Sequence, residues 1–281
     1  MMIGCKDENK TLFLVGEIPD DEPITFKQEL VPANKIIHRG IFSPDMKEYY
    51  FTVSDQSYRD FDVWMIKKEN EKWSEPQKAF FNGEYSEHGM SFSPDGETLY
   101  FSSIRPVPMA GVAATWHLWK SEKGDGTWSE PEFVDIPNLR DKLVSHPSVA
   151  KSGTVYFHVS NLDYSSMDIY YSKQLNGHFG DAEKLKIAND PETVKATPCI
   201  SPDEDYLLFA SVGNQLDLMI CFNDGNGGWT NLKKLDPAIN SQGQGNPYVS
   251  PDGHFLFFAT GKHLGDWSIR WIRFEPKILG R

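Results

Sequence analysis

Hydrophobic and polar positions repeat in a fixed order along the chain: an apolar run ends at a polar turn, and a second apolar run follows. The clearest copy is Phe92–Phe101, which reads Phe-Ser-Pro-Asp-Gly-Glu-Thr-Leu-Tyr-Phe. Proline sets φ at the first corner, aspartate bonds the local backbone and glycine takes the left-handed conformation, so this segment predicts a β-hairpin. Related turns occur at Pro44, Pro202 and Pro251, and Lys151 replaces the proline in a fifth copy.

The five turns recur about every 50 residues, and a period of this length with several strands per repeat is typical of a propeller. After each hairpin comes a third apolar strand, such as Asp62-Val63-Trp64. A segment like Trp73-Ser74-Glu75-Pro76 then opens a fourth, outer strand. The pattern therefore predicts an all-β fold, a five-bladed β-propeller of four-stranded antiparallel blades.

The last repeat stops after its third strand, near Phe274. The segment Ile24–Val31 precedes the first hairpin as the other closing strands precede theirs, so we expect it to complete the last blade and close the ring. A closed ring also removes exposed sheet edges. The organisation predicted is a disordered tether at 1–10 and a single domain at 11–281. The apolar run Thr11–Val15 could add a strand or pack across the ring, and a partial sixth blade is the alternative.

The Ser-Pro-Asp-Gly hairpins, the Asp-Ile-Tyr strand at Asp168–Tyr170 and the Trp-Ser-x-Pro segments resemble the repeats of TolB-type (WD40-like) bacterial propellers. The resemblance extends from about Leu12 to Phe274. It implies the propeller fold and little about activity, because the class includes scaffold proteins, periplasmic binding proteins, peptidase-associated propellers and a few lyases.

Charge and the N-terminus add expectations about location. The formal net charge of −12 argues against a nucleic-acid partner. Met2-Ile3-Gly4-Cys5 resembles the end of a bacterial lipoprotein signal, although no apolar region precedes it, so the match is either the remnant of a signal or chance. Cys5 is therefore a candidate lipidation site. The predicted location is the periplasm or the cell surface, with membrane contact only through such an anchor.

The inner strand of each blade begins at one mouth of the central channel. Counting back five to seven residues from each turn brings polar residues of all five repeats to that mouth. The candidate ligand-binding residues are His38, Arg39, Glu87, His88, His146, Lys195, Gln244 and Asn246. Arg39 is suited to bind a carboxylate or sulfate, and His38, His88 and His146 could hold a divalent metal as a cofactor. The alternative is that these residues are ordinary solvated channel lining.

Two functions remain open from the sequence. One is a non-catalytic binding or scaffold module of the cell envelope, with a protein partner or an oligosaccharide at the channel mouth. The other is a carbohydrate-active enzyme, either a glycoside hydrolase or a metal-dependent polysaccharide lyase, that uses the same residues. Hydrolysis normally needs two carboxylates, and the inner strands offer only Glu87. The sequence contains no GxSxG, P-loop or HExxH motif.

Overall fold

The computed structural model describes residues 17–70, 72–263 and 265–276. Cys5, the predicted tether at 1–10 and the apolar run Thr11–Val15 lie outside these residues. Within the described part of the chain, five antiparallel sheets form the blades of a propeller ring. The predicted fold is therefore confirmed.

The strands are numbered in chain order. β1 is Ile24–Thr25, and a 3₁₀ turn follows at Gln28–Leu30. Blade 1 contains β2 (Ile36–Phe42), β3 (Glu48–Ser54), β4 (Phe61–Glu69), β5 (Lys72–Trp73) and β6 (Gln77–Lys78). Blade 2 contains β7 (Glu87–Phe92), β8 (Thr98–Ser103), β9 (His117–Gly124), β10 (Thr127–Trp128) and β11 (Glu132–Phe133).

A second 3₁₀ turn at Pro137–Leu139 leads into blade 3. Blade 3 contains β12 (Leu143–Val149), β13 (Val155–Ser160), β14 (Met167–Ser172), β15 (Gln174–Leu175), β16 (His178–Phe179) and β17 (Glu183–Lys184). Blade 4 contains β18 (Val194–Ile200), β19 (Tyr206–Val212), β20 (Leu216–Asn223) and β21 (Trp229–Lys234). Blade 5 contains β22 (Gly243–Val249), β23 (Phe255–Gly261), β24 (Ser268–Arg273) and the N-terminal β1.

The repeated turn has the predicted geometry. The N–H of Ser93 donates to the carbonyl of Thr98 at 2.8 Å, and the N–H of Gly96 donates to the carbonyl of Ser93 at 2.8 Å. Gly96 has a φ of 78°, and in the same place Met46 and Glu204 adopt φ values of 57° and 60°. Glycine is favoured at such a position but is not required, because the flanking ladder holds the turn.

The ring closes as predicted, through pairing of β1 with β24. The closing strand is shorter than the predicted Ile24–Val31, because Lys27 adopts a left-handed φ of 41° and ends the extended conformation. One further bond, from the N–H of Phe26 to the carbonyl of Ile269 at 2.8 Å, extends the pairing beyond the strand. The N-terminal segment thus supplies the fourth strand of blade 5.

The core consists of five apolar layers, and each layer lies between two neighbouring blades. This arrangement follows from strand alternation: in a twisted blade both faces pack on a neighbour, so apolar residues occupy both. Cys199 and Cys221 are free thiols buried in these layers. No helix in the described residues is long and apolar enough to cross a membrane.

All five inner strands, β2, β7, β12, β18 and β22, run in the same direction along the channel. They begin at one face of the ring, which we call the entry face. They end at the proline turns on the opposite face, which we call the hairpin face. The residues predicted to bind a ligand therefore lie at the entry face.

Candidate functional site at the channel mouth

A cavity of about 240 Å³ opens at the entry face of the channel, and we call it the mouth cavity. Its lining residues are His38, Arg39, Thr52, Phe61, His88, Gly89, His146, Thr197 and Asn246. Five of the eight residues predicted from the sequence, from blades 1, 2, 3 and 5, are therefore brought together here. The lining contains no aspartate or glutamate.

The inner strands turn these side chains into the channel through a bulge. In blades 2 to 5 the strand register shifts just after the first residues, and one residue there has a positive φ. These residues are Gly89 (61°), His146 (56°), Thr197 (49°) and Asn246 (52°). A bulge of this kind re-aims a side chain. A Cβ on Gly89 would lie 3.0 Å from the Cα of His146, so the glycine gives the next blade room to approach.

Three predicted site residues lie behind the channel wall instead. The Glu87 carboxylate accepts hydrogen bonds from Arg105 at 2.9 Å and Ser103 at 3.1 Å. Lys195 is paired with Asp190 at 2.5 Å. Glu87 and Lys195 occupy the repeat position directly before that of His88, and side chains alternate along a strand, so they point into the inter-blade layers.

Gln244 is the third of these residues, and its amide donates to the hydroxyl of Thr260 at 3.4 Å. It is fully buried and does not line the mouth cavity.

Imidazole rings from two blades form a stack along one wall of the cavity. The ring centroids of His88 and His146 are 4.5 Å apart, and those of His146 and His158 are 4.8 Å apart. Trp116 covers the outer ring at 4.0 Å from His88. His158 was not among the sequence candidates because it lies on the second strand of its blade. Its pairing opposite Ser145, a neighbour of His146, is the signal that could have revealed it.

His38 stands apart from this stack. Its Nε2 is bonded to the hydroxyl of Ser54 at 2.7 Å. The ring of Phe61 contacts both His38 and His88, at centroid distances of 5.2 Å and 5.4 Å, and so separates them. The predicted metal ligands His38, His88 and His146 therefore do not converge. Among the described residues, no group of three or more His, Cys, Asp or Glu side chains is arranged to hold a metal ion.

Arg39 is the most unusual residue of the site. Its side chain is buried, and its Nε and Nη1 atoms have no hydrogen-bond partner among the described residues. Burial lowers the pKa of its guanidinium from the usual value. The half-buried Arg105 and the buried Lys195, in contrast, both have carboxylate partners.

Two further unpartnered atoms line the same cavity, Nδ1 of His88 and Oδ1 of Asn246. The amide nitrogen of Asn246 is held by the carbonyl of His38 at 2.8 Å. Buried polar groups are nearly always hydrogen-bonded in folded proteins. Unpartnered polar atoms of three residues around one cavity make it the candidate binding site of the propeller.

The histidines of the site are held neutral by burial. Burial lowers the pKa of His38 to about 4 and that of His158 to about 4. For His88 and His146, burial is the largest cause of a pKa well below the usual value, and the neighbouring imidazoles add to it. The cavity thus presents neutral imidazoles around one unpaired guanidinium.

Acidification from pH 7 to pH 5 is expected to destabilise the ligand-free protein. The folded-state pKa values of about 4 lie below the ordinary 6.5, so the unfolded chain takes up protons first. Stability therefore rises with pH between about 4 and 6.5 and levels off above, by up to about 1.4 kcal/mol per pH unit for each histidine. Calorimetric melting at pH 5, 6 and 7 measures this. His158→Gln is the matched variant and should flatten the profile; an identical slope in the variant contradicts the assignment.

No protein-family model matches the sequence, and no curated protein matches it. Among solved structures, the putative TolB from Agrobacterium tumefaciens superposes with a TM-score of 0.56 at 16% identity, over 90% of this chain and 84% of that one. TolB from Acinetobacter baumannii superposes with a TM-score of 0.52 at 16% identity over 88% of this chain. This chain therefore has a propeller fold similar to that of the TolB structures.

This chain spans only 56% of the length of the Acinetobacter protein. A thermostable family-43 glycoside hydrolase also superposes, with a TM-score of 0.53 at 15% identity over 87% of this chain and 92% of that one. Likeness at such low identity establishes the fold alone. The function has to be argued from the mouth cavity.

Proposed function

We propose that this TolB-like propeller is a non-catalytic binding module of the bacterial cell envelope. Its ligand is a small carboxylate-bearing molecule, an acidic sugar such as a uronate, that enters the mouth cavity. The observation that carries the proposal is the buried guanidinium of Arg39, which has unpaired N–H groups and no carboxylate among the cavity-lining residues.

A carboxylate on Arg39 would satisfy the buried charge with a pair of parallel hydrogen bonds, the arrangement that guanidinium groups favour. The neutral imidazoles can donate or accept hydrogen bonds, and the free oxygen of Asn246 can accept from a ligand hydroxyl. A ligand with one acidic group and several hydroxyls matches this set of partners.

Half-buried aromatic rings surround the opening and suit a sugar ring. Phe61 and Trp116 are in edge contact at 6.0 Å, and Tyr58 and Trp267 contact His38 at 5.2 Å and 6.5 Å. Aromatic faces with a few convergent polar groups are the usual composition of a small-molecule site. The volume of about 240 Å³ suits one monosaccharide unit of a longer chain.

The alternative predicted from the sequence, a carbohydrate-active enzyme, receives less support from the cavity. Hydrolysis by paired carboxylates requires two acids on either side of the bond, and none lines the cavity. Glu87 is engaged by Arg105 and lies behind the wall. A protein partner at the entry face is the remaining alternative, and titration with sugars distinguishes it from a sugar ligand.

Calorimetric titration with galacturonate and glucuronate is expected to show binding, and titration with galactose and glucose is expected to show little or none. Arg39→Met should weaken uronate binding roughly 10- to 150-fold, the equivalent of about 1.5–3 kcal/mol for hydrogen bonds to a charged group. Arg59→Met is the matched control, because Arg59 is an exposed arginine on the same face. Equal binding of neutral and acidic sugars, or equal loss in both variants, contradicts the proposal.

A further inference from the structure

A second and larger cavity, of about 410 Å³, opens on the hairpin face, and we call it the hairpin chamber. It is lined by the ends of the inner strands and by the five repeated turns. The buried apolar part of its wall consists of Ile41, Phe42, Met90, Val149 and Ile200. Half-buried Phe92, Tyr206, Tyr248 and Val249 continue this wall toward the opening. None of these residues lines the mouth cavity.

Arg39 is the one residue that lines both cavities. Arg39 therefore lies between the two cavities. Other polar groups of the chamber are engaged. The hydroxyl of Tyr248 accepts from the N–H of Phe42 at 3.1 Å and is 3.2 Å from its carbonyl.

Acidic residues of the chamber are confined to its rim. Asp203 is paired with Lys151 at 2.9 Å, and Asp252 accepts hydrogen bonds from Ser250 and from the N–H of His254 within its own turn. The floor of the chamber thus carries an unpaired positive charge, and apolar side chains form part of its walls.

We propose that the hairpin chamber is a second ligand site, and that it binds an amphipathic monocarboxylate with its carboxylate on Arg39 and its hydrocarbon body along the apolar wall. The volume lies in the range of small-molecule sites. Burial of apolar surface rewards each added methylene by about threefold to fourfold in affinity. The mouth cavity, which is lined mainly by polar and aromatic groups, offers no such gain.

Cys199 provides a reporter inside the chamber. It lines the hairpin chamber and not the mouth cavity, and the residue retains 7% exposure. Burial raises the pKa of its thiol, so alkylation by iodoacetamide is slow and is best followed at about pH 9. Mass spectrometry of the peptide that contains Cys199 then reads the occupancy of this chamber alone.

The experiment measures the alkylation rate of Cys199 with butanoate, hexanoate, octanoate, octan-1-ol and octylamine. We expect octanoate to slow alkylation at least about fivefold at saturation, with apparent affinity rising along the carboxylate series. The neutral and cationic eight-carbon compounds should protect far less. Ser91→Trp places a large side chain in the chamber and should abolish protection, whereas Ser91→Ala should retain it.

Absence of protection by octanoate, equal protection by octan-1-ol, or full protection in Ser91→Trp would each overturn the proposal. The outcome is separable from that of the proposed function: uronate binding depends on the mouth cavity and should survive Ser91→Trp. Loss of both uronate binding and octanoate binding is expected only in Arg39→Met, because this variant removes the guanidinium that the two sites share. Melting curves of the three variants confirm that each is folded.

Discussion

Arg39→Met is expected to stabilise the ligand-free propeller while it removes ligand binding. The side chain of Arg39 is 2% exposed and its Nε and Nη1 atoms lack partners among the described residues. A buried charge without a partner is costly, and replacement of buried charged groups by apolar side chains of similar volume often stabilises a protein by about 1–4 kcal/mol. Methionine has a comparable volume, although it is shorter, and no polar group to leave unpaired. Urea unfolding at pH 7.5 measures the change.

Two controls isolate the cause of the stabilisation. Arg39→Lys keeps a buried cation and should give no gain, and Arg59→Met removes an exposed arginine and should change stability by less than about 0.5 kcal/mol. Saturating galacturonate should stabilise the wild type but not Arg39→Met. If Arg39→Met instead destabilises the free protein by more than about 1 kcal/mol, the guanidinium serves the fold and the binding proposal loses its main support.

The architecture could be predicted because its determinants are local in the chain. The residues of each hairpin turn favour that turn by themselves. The strands on either side contain alternating or continuous apolar residues, as packing between the blades requires. Ring closure by Ile24–Thr25 followed from the missing fourth strand of the last repeat. The length of that strand did not follow, because a single left-handed residue, Lys27, ends it.

The site could be predicted only in part. Counting along the strands from the turns brought His88 and His146 together, and both line the mouth cavity, because equivalent residues of successive blades lie at similar depth in the channel. The count did not predict which way each side chain points. The same count therefore included Glu87 and Lys195, which point into the inter-blade layers and bond there.

Counting residues along the strands could not predict contacts between segments that are distant in the sequence. Phe61 reaches the cavity from the third strand of blade 1 and separates His38 from the imidazole stack. The unpaired state of Arg39 depends on where the carboxylates of the ring are bound, and Glu87, the acid predicted at the channel mouth, is paired with Arg105. The absence of a partner for Arg39 therefore depends on the folded structure of the whole ring, and no sequence motif predicts it.

The seam between the first and last blades is the other position where a single residue should have a large effect. Phe26 is 1% exposed and lies just after the two-residue strand that closes the ring. Its ring contacts Tyr49 of blade 1 at 5.3 Å and Phe257 and Trp271 of blade 5 at 5.1 Å and 5.5 Å, each edge-on. One aromatic side chain thus joins the two ends of the propeller.

Phe26→Ala is expected to lower the free energy of unfolding by about 3–5 kcal/mol, because it removes a fully buried ring and leaves a cavity in a packed aromatic cluster. Phe80→Ala is the matched control: Phe80 is 42% exposed and stacks on Trp128 at the outer edge, so its loss should cost at most about 1 kcal/mol. Urea unfolding followed by tryptophan fluorescence gives both values. An unchanged slope with denaturant would show that the ring still unfolds as one unit, and a lower slope in Phe26→Ala would show that the seam opens first. A loss below about 1 kcal/mol in Phe26→Ala would mean that β1 contributes little to closure, and that the five inter-blade layers hold the ring without it.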